Sequence, residues 1–144
     1  MAEHCETHGI SYYLPLREET RIYQRRKVPV LKPVFPGYFF CSLSQEDRVK
    51  LTNTNHILRF LNPTHPREFL RQLVHVRRAL AVDPGLRSRN ALKRGVRVRI
   101  RKGAFMGIEG RVSQVKGTTT VCLNVQMIGQ AIAVEVDQDF VELL

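Results

Sequence analysis

Three side chains near the N-terminus, His4, Cys5 and His8, fall near one face of a helical turn and are of types that bind zinc. No fourth ligand stands at a matching spacing, so a solvated helix end is expected and no metal is assigned. His56, His65 and His75 have no evident acid or nucleophile beside them, and no carboxylate pair or Ser-His-Asp arrangement suggests catalysis. His75 sits next to an apolar helical stripe, where a half-buried ring is expected. Cys5, Cys41 and Cys122 are odd in number and far apart, which indicates neither a disulfide framework nor a four-ligand zinc site. We expect no enzyme and no cofactor. The informative chemistry is positive charge and aromatic surface.

Lys and Arg outnumber Asp and Glu by 23 to 13 in 144 residues, a formal charge of +10. Such a field attracts polyanions, nucleic acid first among them. The charge comes in blocks, with eight basic residues and no acid from Arg87 to Lys102, and five and no acid from Arg21 to Lys32. At 43% hydrophobic and 25% charged, the chain can build a core. No apolar run approaches the ~20 residues of a membrane span. The N-terminus carries acids where a signal peptide carries cations, so a cytoplasmic protein is expected.

The elements that must position these residues fall into two domains. Ile10 to Leu14 alternates as a strand that Pro15 places at an edge or end. Arg21 to Val30 suits a basic arm or hairpin. Phe35-Pro36-Gly37 turns into a strand at Tyr38 to Leu43, and Ile57 to Leu61 suits another. Between them, Ser44 and Asp47 form a capping-box pattern for a short helix to about Leu51. From Pro66, Phe69, Leu73, Val76 and Leu80 recur at helical spacing, with Leu70 and Val74 widening the stripe. Asp83-Pro84-Gly85 stops this helix, and residues 83–93 suit a linker.

Beyond the linker the pattern is all β. Val96, Val98 and Ile100 alternate with Arg97, Arg99 and Arg101, placing the apolar set inside and the arginines in water. Strands at Glu109 to Val115, Val121 to Met127 and Ile132 to Val136 follow, with turns at Lys116 to Thr118 and Ile128 to Gln130. So many short strands in 50 residues predict a small closed barrel. Glycines at 103, 107 and 110 shape a loop that presents Phe105 and Met106 at its tip. The expected class is an α+β N-terminal domain, an antiparallel sheet with helices on one face, followed by a small all-β barrel. In the strand after Gly37, Phe39, Cys41 and Leu43 should face the helices. Tyr38 and Phe40, joined by Phe35 and Phe60, should form an exposed aromatic patch for a protein partner. The alternative is that both faces are buried.

Gly95-Val96-Arg97-Val98 leading into Gly103-Ala104-Phe105-Met106-Gly107-Ile108-Glu109-Gly110-Arg111-Val112 resembles a KOW motif, found on SH3-like barrels. Phe35-Pro36-Gly37-Tyr38-Phe39-Phe40 resembles the Phe-Pro-Gly-Tyr strand of the NusG N-terminal domain, and Gly9 to Pro15 fits that domain's strand after its first helix. The two motifs in this order resemble NusG-type transcription elongation and antitermination factors, RfaH-like paralogues included. The implied boundaries are an N-terminal domain at 1–82, a linker at 83–93 and a KOW domain at 94–144. The chain departs from the family in opening inside the first helix, with no Trp and without the family's first strand. That strand lies inside the sheet, and its loss would forfeit about four buried apolar side chains at ~1.5–3 kcal/mol each. The first domain is therefore expected to be incomplete as written, and the chain a monomer unless another chain completes the sheet.

The resemblance implies roles. Phe35, Tyr38, Phe40 and Phe60 would grip the clamp helices of RNA polymerase. Arg25, Arg26, Lys27, Arg48 and Lys50 would approach upstream duplex or the non-template DNA strand. Phe105, Met106 and Ile128 would recruit a further factor, Rho or a ribosomal protein. No membrane partner is implied. The alternative function is a ribosomal or rRNA-binding KOW protein in which the arginine-rich barrel does the main work.

Overall fold

A computed structural model describes residues 1–112 and 119–144. The expected turn at Lys116 to Thr118, and the end of the expected strand beyond Val112, lie outside the described residues. In chain order the elements are α1 (Ala2–Thr7), β1 (Tyr12–Tyr13), β2 (Leu16–Tyr23), β3 (Arg26–Pro33), β4 (Phe40–Cys41), α2 (Gln45–Thr52), α3 (Pro66–Val82), β5 (Ser88–Asn90), β6 (Val96–Ile100), β7 (Glu109–Val112), β8 (Thr119–Val125), β9 (Gln130–Val136) and β10 (Val141–Leu143). No described helix is long and apolar enough to cross a membrane. Two compact units are present, one from Met1–Pro15 and Pro36–Asn62, the other from Leu16–Phe35 and Pro63–Leu144.

The first unit is α+β. Cys5, Ile10 and Leu51 are its buried centre, and Phe39, Cys41, Leu43 and Phe60 pack against them. The helix-facing set Phe39, Cys41 and Leu43 is thus as the alternation implies. Helix α2 starts where the capping box places it: Ser44 Oγ accepts from Asp47 N–H at 3.1 Å, and Asp47 Oδ2 accepts from Ser44 N–H at 3.1 Å. The sheet is smaller than expected. β1 and β4 pair over only Tyr12↔Cys41 and Tyr13↔Phe40. Ile57 to Leu61 is not a strand. Alternation makes a segment suitable for a sheet, but a strand exists only where a neighbour takes its backbone hydrogen bonds. Ile57 to Leu61 has no such neighbour among the described residues.

In the second unit, β2 and β3 form a two-stranded hairpin paired from Leu16↔Pro33 to Tyr23↔Arg26. Gln24 and Arg25, with φ of 47° and 63°, close it as a type I′ turn, whose twist matches that of the strands. A two-residue turn makes Tyr23↔Arg26 a hydrogen-bonded pair, so residues 27, 29, 31 and 33 direct their backbone groups away from β2. Pro29 and Pro33 occupy two of those outward positions, where a missing N–H costs the ladder nothing. On the other edge, Glu18 N–H donates to the carbonyl of Pro84 at 2.7 Å.

The C-terminal strands form one antiparallel sheet in the order β10-β6-β7-β8-β9-β5. β5 and β10 end this order among the described residues, and the six-stranded sheet is consistent with the expected small all-β domain. Val98, Ile100, Val121, Leu123, Ile132 and Val134 fill one face at 2% exposure or less. Val96, expected with them, is 53% exposed. It begins β6 opposite Val112, itself only half-buried, where that face opens.

Helix α3 spans the expected residues and buries Leu73, Val76, Ala79 and Leu80, packing on β8. Leu70 and Val74 do not widen this stripe; they are 59% and 52% exposed on a flank turned away from β8. The expected linker contains a strand, since Ser88–Asn90 pairs with β9. Leu92 is then clasped by Asn124, whose Oδ1 accepts from Leu92 N–H at 3.0 Å and whose Nδ2 donates to the Leu92 carbonyl at 2.8 Å. Pro, Gly and Ser there mark irregular chain, but the free edge of β9 gives the backbone a partner that composition does not reveal.

Candidate functional site

The loop between β6 and β7 is built by its glycines. Gly103 and Gly107, with φ of 86° and 89°, adopt a conformation that side chains resist. A Cβ on Gly103 would stand 3.1 Å from the Phe140 ring, and one on Gly107 would stand 2.9 Å from the Arg78 guanidinium. Gly107 N–H donates to the Ile100 carbonyl at 2.7 Å and Ile108 N–H to the Phe105 carbonyl at 3.1 Å, which closes the loop. Met106 is 61% exposed, while Phe105 and Ile128 are half-buried.

Below the loop, α3 meets the sheet through polar groups. Arg78 Nη2 donates to the Met106 carbonyl at 3.2 Å, and Gln72 Oε1 accepts from Gln126 N–H at 3.0 Å. Glu109 is the hub. Its carboxylate accepts from Arg99 at 2.8 Å and from Arg71, and His75 Nε2 stands 3.8 Å away. Glu109 N–H points at His75 Nδ1 at 3.5 Å, which leaves the proton on Nε2, facing the carboxylate. Burial raises the Glu109 pKa, but the Arg99 hydrogen bond and the charges of Arg71, Arg99 and His75 outweigh it and hold the carboxyl below its usual range. Burial lowers the His75 pKa against the pull of Glu109. The expected half-buried His75 is observed, now with an acid partner that sequence did not reveal. Arg71, His75 and Arg78 recur along one flank of α3 beside the apolar stripe, the one local signal for this seam.

The aromatic patch is not exposed as expected. Phe35 is 1% and Phe40 9% exposed, and Tyr38 and Phe60 are half-buried. Two-residue pairing at Tyr13↔Phe40 gives too short a sheet to present one open face. Phe60 packs on the core side, with the Arg48 guanidinium 5.3 Å from its ring centre. Arg48 also donates to Asn62 Oδ1. It is half-buried and engaged, unlike the freely exposed Lys50. Arg25, Arg26 and Lys27 are exposed at the hairpin tip.

At the N-terminus, the His4 and His8 rings stack 4.1 Å apart, and His8 Nδ1 lies 2.9 Å from the His4 carbonyl. No group of three or more metal-binding side chains occurs among the described residues.

A protein-family model described as transcription termination factor nusG matches residues 1–77. No curated protein matches the chain. Factors of the matched family generally act with RNA polymerase. Because the match takes in 77 of 144 residues, more than half, this chain belongs to the NusG family of transcription termination and elongation factors.

Proposed function

We propose that the chain is a transcription elongation and antitermination regulator that binds RNA polymerase through its first 82 residues and recruits a second factor through the Gly103–Gly107 loop. The family match over residues 1–77 carries the first half of this reading. Tyr38 is its aromatic contact; Phe35 and Phe40 are buried. The exposed hairpin tip, Arg25, Arg26 and Lys27, with Lys50, meets the phosphates of upstream duplex or the non-template strand. The recruitment half draws on the exposure of Met106, with Phe105 and Ile128 as half-buried neighbours. Such a partner is Rho or a ribosomal protein, and the work takes place in the cytoplasm.

Affinity capture of the full chain from cells, followed by an elongation assay, tests this. Polymerase subunits in the captured material, and readthrough lost with Tyr38→Ala at unchanged melting temperature, are expected. Recovery on ribosomal particles without polymerase would overturn it.

A further inference from the structure

The eight cations between Arg87 and Lys102 are not equivalent once their partners are known. Arg87 pairs with Glu19 at 3.2 Å. Arg99 is shared by Glu109 at 2.8 Å and Glu142 at 3.6 Å. Arg101 donates twice to the Asp139 carbonyl, at 2.9 and 2.7 Å. These three are spent on the fold. Arg97 is exposed, and its side chain makes no ion pair or hydrogen bond with another described residue.

Arg97 stands directly opposite Arg111. Ile100 N–H donates to the Ile108 carbonyl at 2.9 Å, so 100↔108 is a hydrogen-bonded pair. By alternation 97↔111 is a non-hydrogen-bonded one, the kind that brings side chains closest. Like charges so placed repel and cost stability. Among the described residues, Arg111 Nη1 donates to the Gly95 carbonyl, at 3.3 Å, and no carboxylate pairs with it. Both arginines line a cleft of about 220 Å³ between α3 and the sheet, where Glu68 is the one acid not already committed to Arg71 and Arg99. Exposed Lys93 and Arg94 precede Arg97 within four residues.

We propose that Arg97 and Arg111 form a phosphodiester-binding site, through which the C-terminal sheet holds a nucleic-acid strand. Two guanidinium groups set side by side match successive backbone phosphates, and the bound anion relieves their repulsion. An acidic protein is the poorer fit, because a stable protein interface needs an exposed apolar centre, and the apolar residues lining this cleft, Cys122 and Leu123, are each only 2% exposed. This site is separate from the hairpin tip and from the Met106 loop.

Fluorescence anisotropy of the full protein with a labelled single-stranded RNA and a labelled DNA duplex, over a salt series, tests it. Arg97→Gln/Arg111→Gln should weaken binding about tenfold. The slope of log affinity against log salt should fall by about 1.4 if the ligand is a single strand and about 1.8 if it is a duplex. Arg59→Gln/Arg77→Gln removes the same charge elsewhere and should change affinity far less. Arg97→Glu turns a repelling pair into an attracting one, and should raise the melting temperature while it lowers binding. Equal losses in the two double variants would overturn the proposal by showing a diffuse field. So would melting below the parent protein in Arg97→Glu, or binding of poly-glutamate in preference to both nucleic acids.

Discussion

Glu19, on the hairpin, draws Lys32 at 2.8 Å, Arg87 at 3.2 Å, Arg21 at 3.5 Å and Arg17 at 3.9 Å; Glu109, on β7, draws Arg99 at 2.8 Å together with Arg71 and His75. By number of cations Glu19 is the richer centre. Its partners, however, are mostly its own strand and the strand opposite, and its side chain is 24% exposed. Glu109 is 10% exposed and ties together α3, β6 and β7. Both carboxyls are held below their usual range, Glu19 chiefly by the Lys32 hydrogen bond against a burial cost and with help from neighbouring charges. The difference lies in what each joins. An ion pair in water between groups already neighbours adds little, whereas one that would leave arginines unpaired in a helix–sheet seam holds two elements in register.

The largest loss of stability is expected from a substitution that touches no charge. A Cβ on Gly110 would stand 2.6 Å from the Cys122 carbonyl oxygen and 2.7 Å from Val121 Cγ1. Gly110→Ala must therefore push β7 off β8, carrying Glu109 with it, and should cost about 3 kcal/mol in denaturant unfolding. Glu109→Gln keeps the shape and removes the charge; losing charge-assisted hydrogen bonds to Arg71 and Arg99 should cost about 2 kcal/mol by the same measurement.

A smaller effect divides the Glu109 centre into two pH windows. Folded His75 resists protonation, so as pH falls below its ordinary value of 6.5 the unfolded chain takes up the proton first. The stability from the neutral ring is therefore constant above that pH and declines below it. Glu109 acts in a lower window: its contribution is complete above the ordinary glutamate value of 4.5 and is lost as pH falls through its depressed value. Melting curves across this range should show the upper decline abolished by His75→Gln and the lower one retained. The smallest effect is expected at the other hub. Glu19→Gln should leave the melting temperature unchanged at physiological salt and lower it only in dilute buffer, where screening is weak.

Local signals explain which parts of the molecule were legible in sequence. The Ser44–Asp47 box, the Pro66 start of α3 and the alternation at Val98 and Ile100 each act within a few residues, and each appears as expected. The Glu109 hub did not announce itself, because Arg71 lies 38 positions away and only the packing of α3 on β8 brings the two together. The aromatic patch failed for a related reason. Alternation states which residues share a face, but exposure depends on what covers that face, and Phe35 and Phe40 are covered. The basic blocks were visible as composition, yet only the partners sort Arg99 and Arg101 from Arg97.

Pro29 and Pro33 have a consequence for how this protein survives at high concentration. A bare two-stranded ribbon eight residues long, with Ile22 78% and Leu31 59% exposed, is a template on which another extended chain can grow. Along β3 that growth would need donors at the two positions where proline has none. Along β2, the Glu18 N–H is already taken by Pro84. Fibrillation and strand exchange are thus hindered along one edge, where two of four outward positions have no donor, and at the base of the other. The ribbon can keep Ile22 and Leu31 exposed without nucleating its own aggregation.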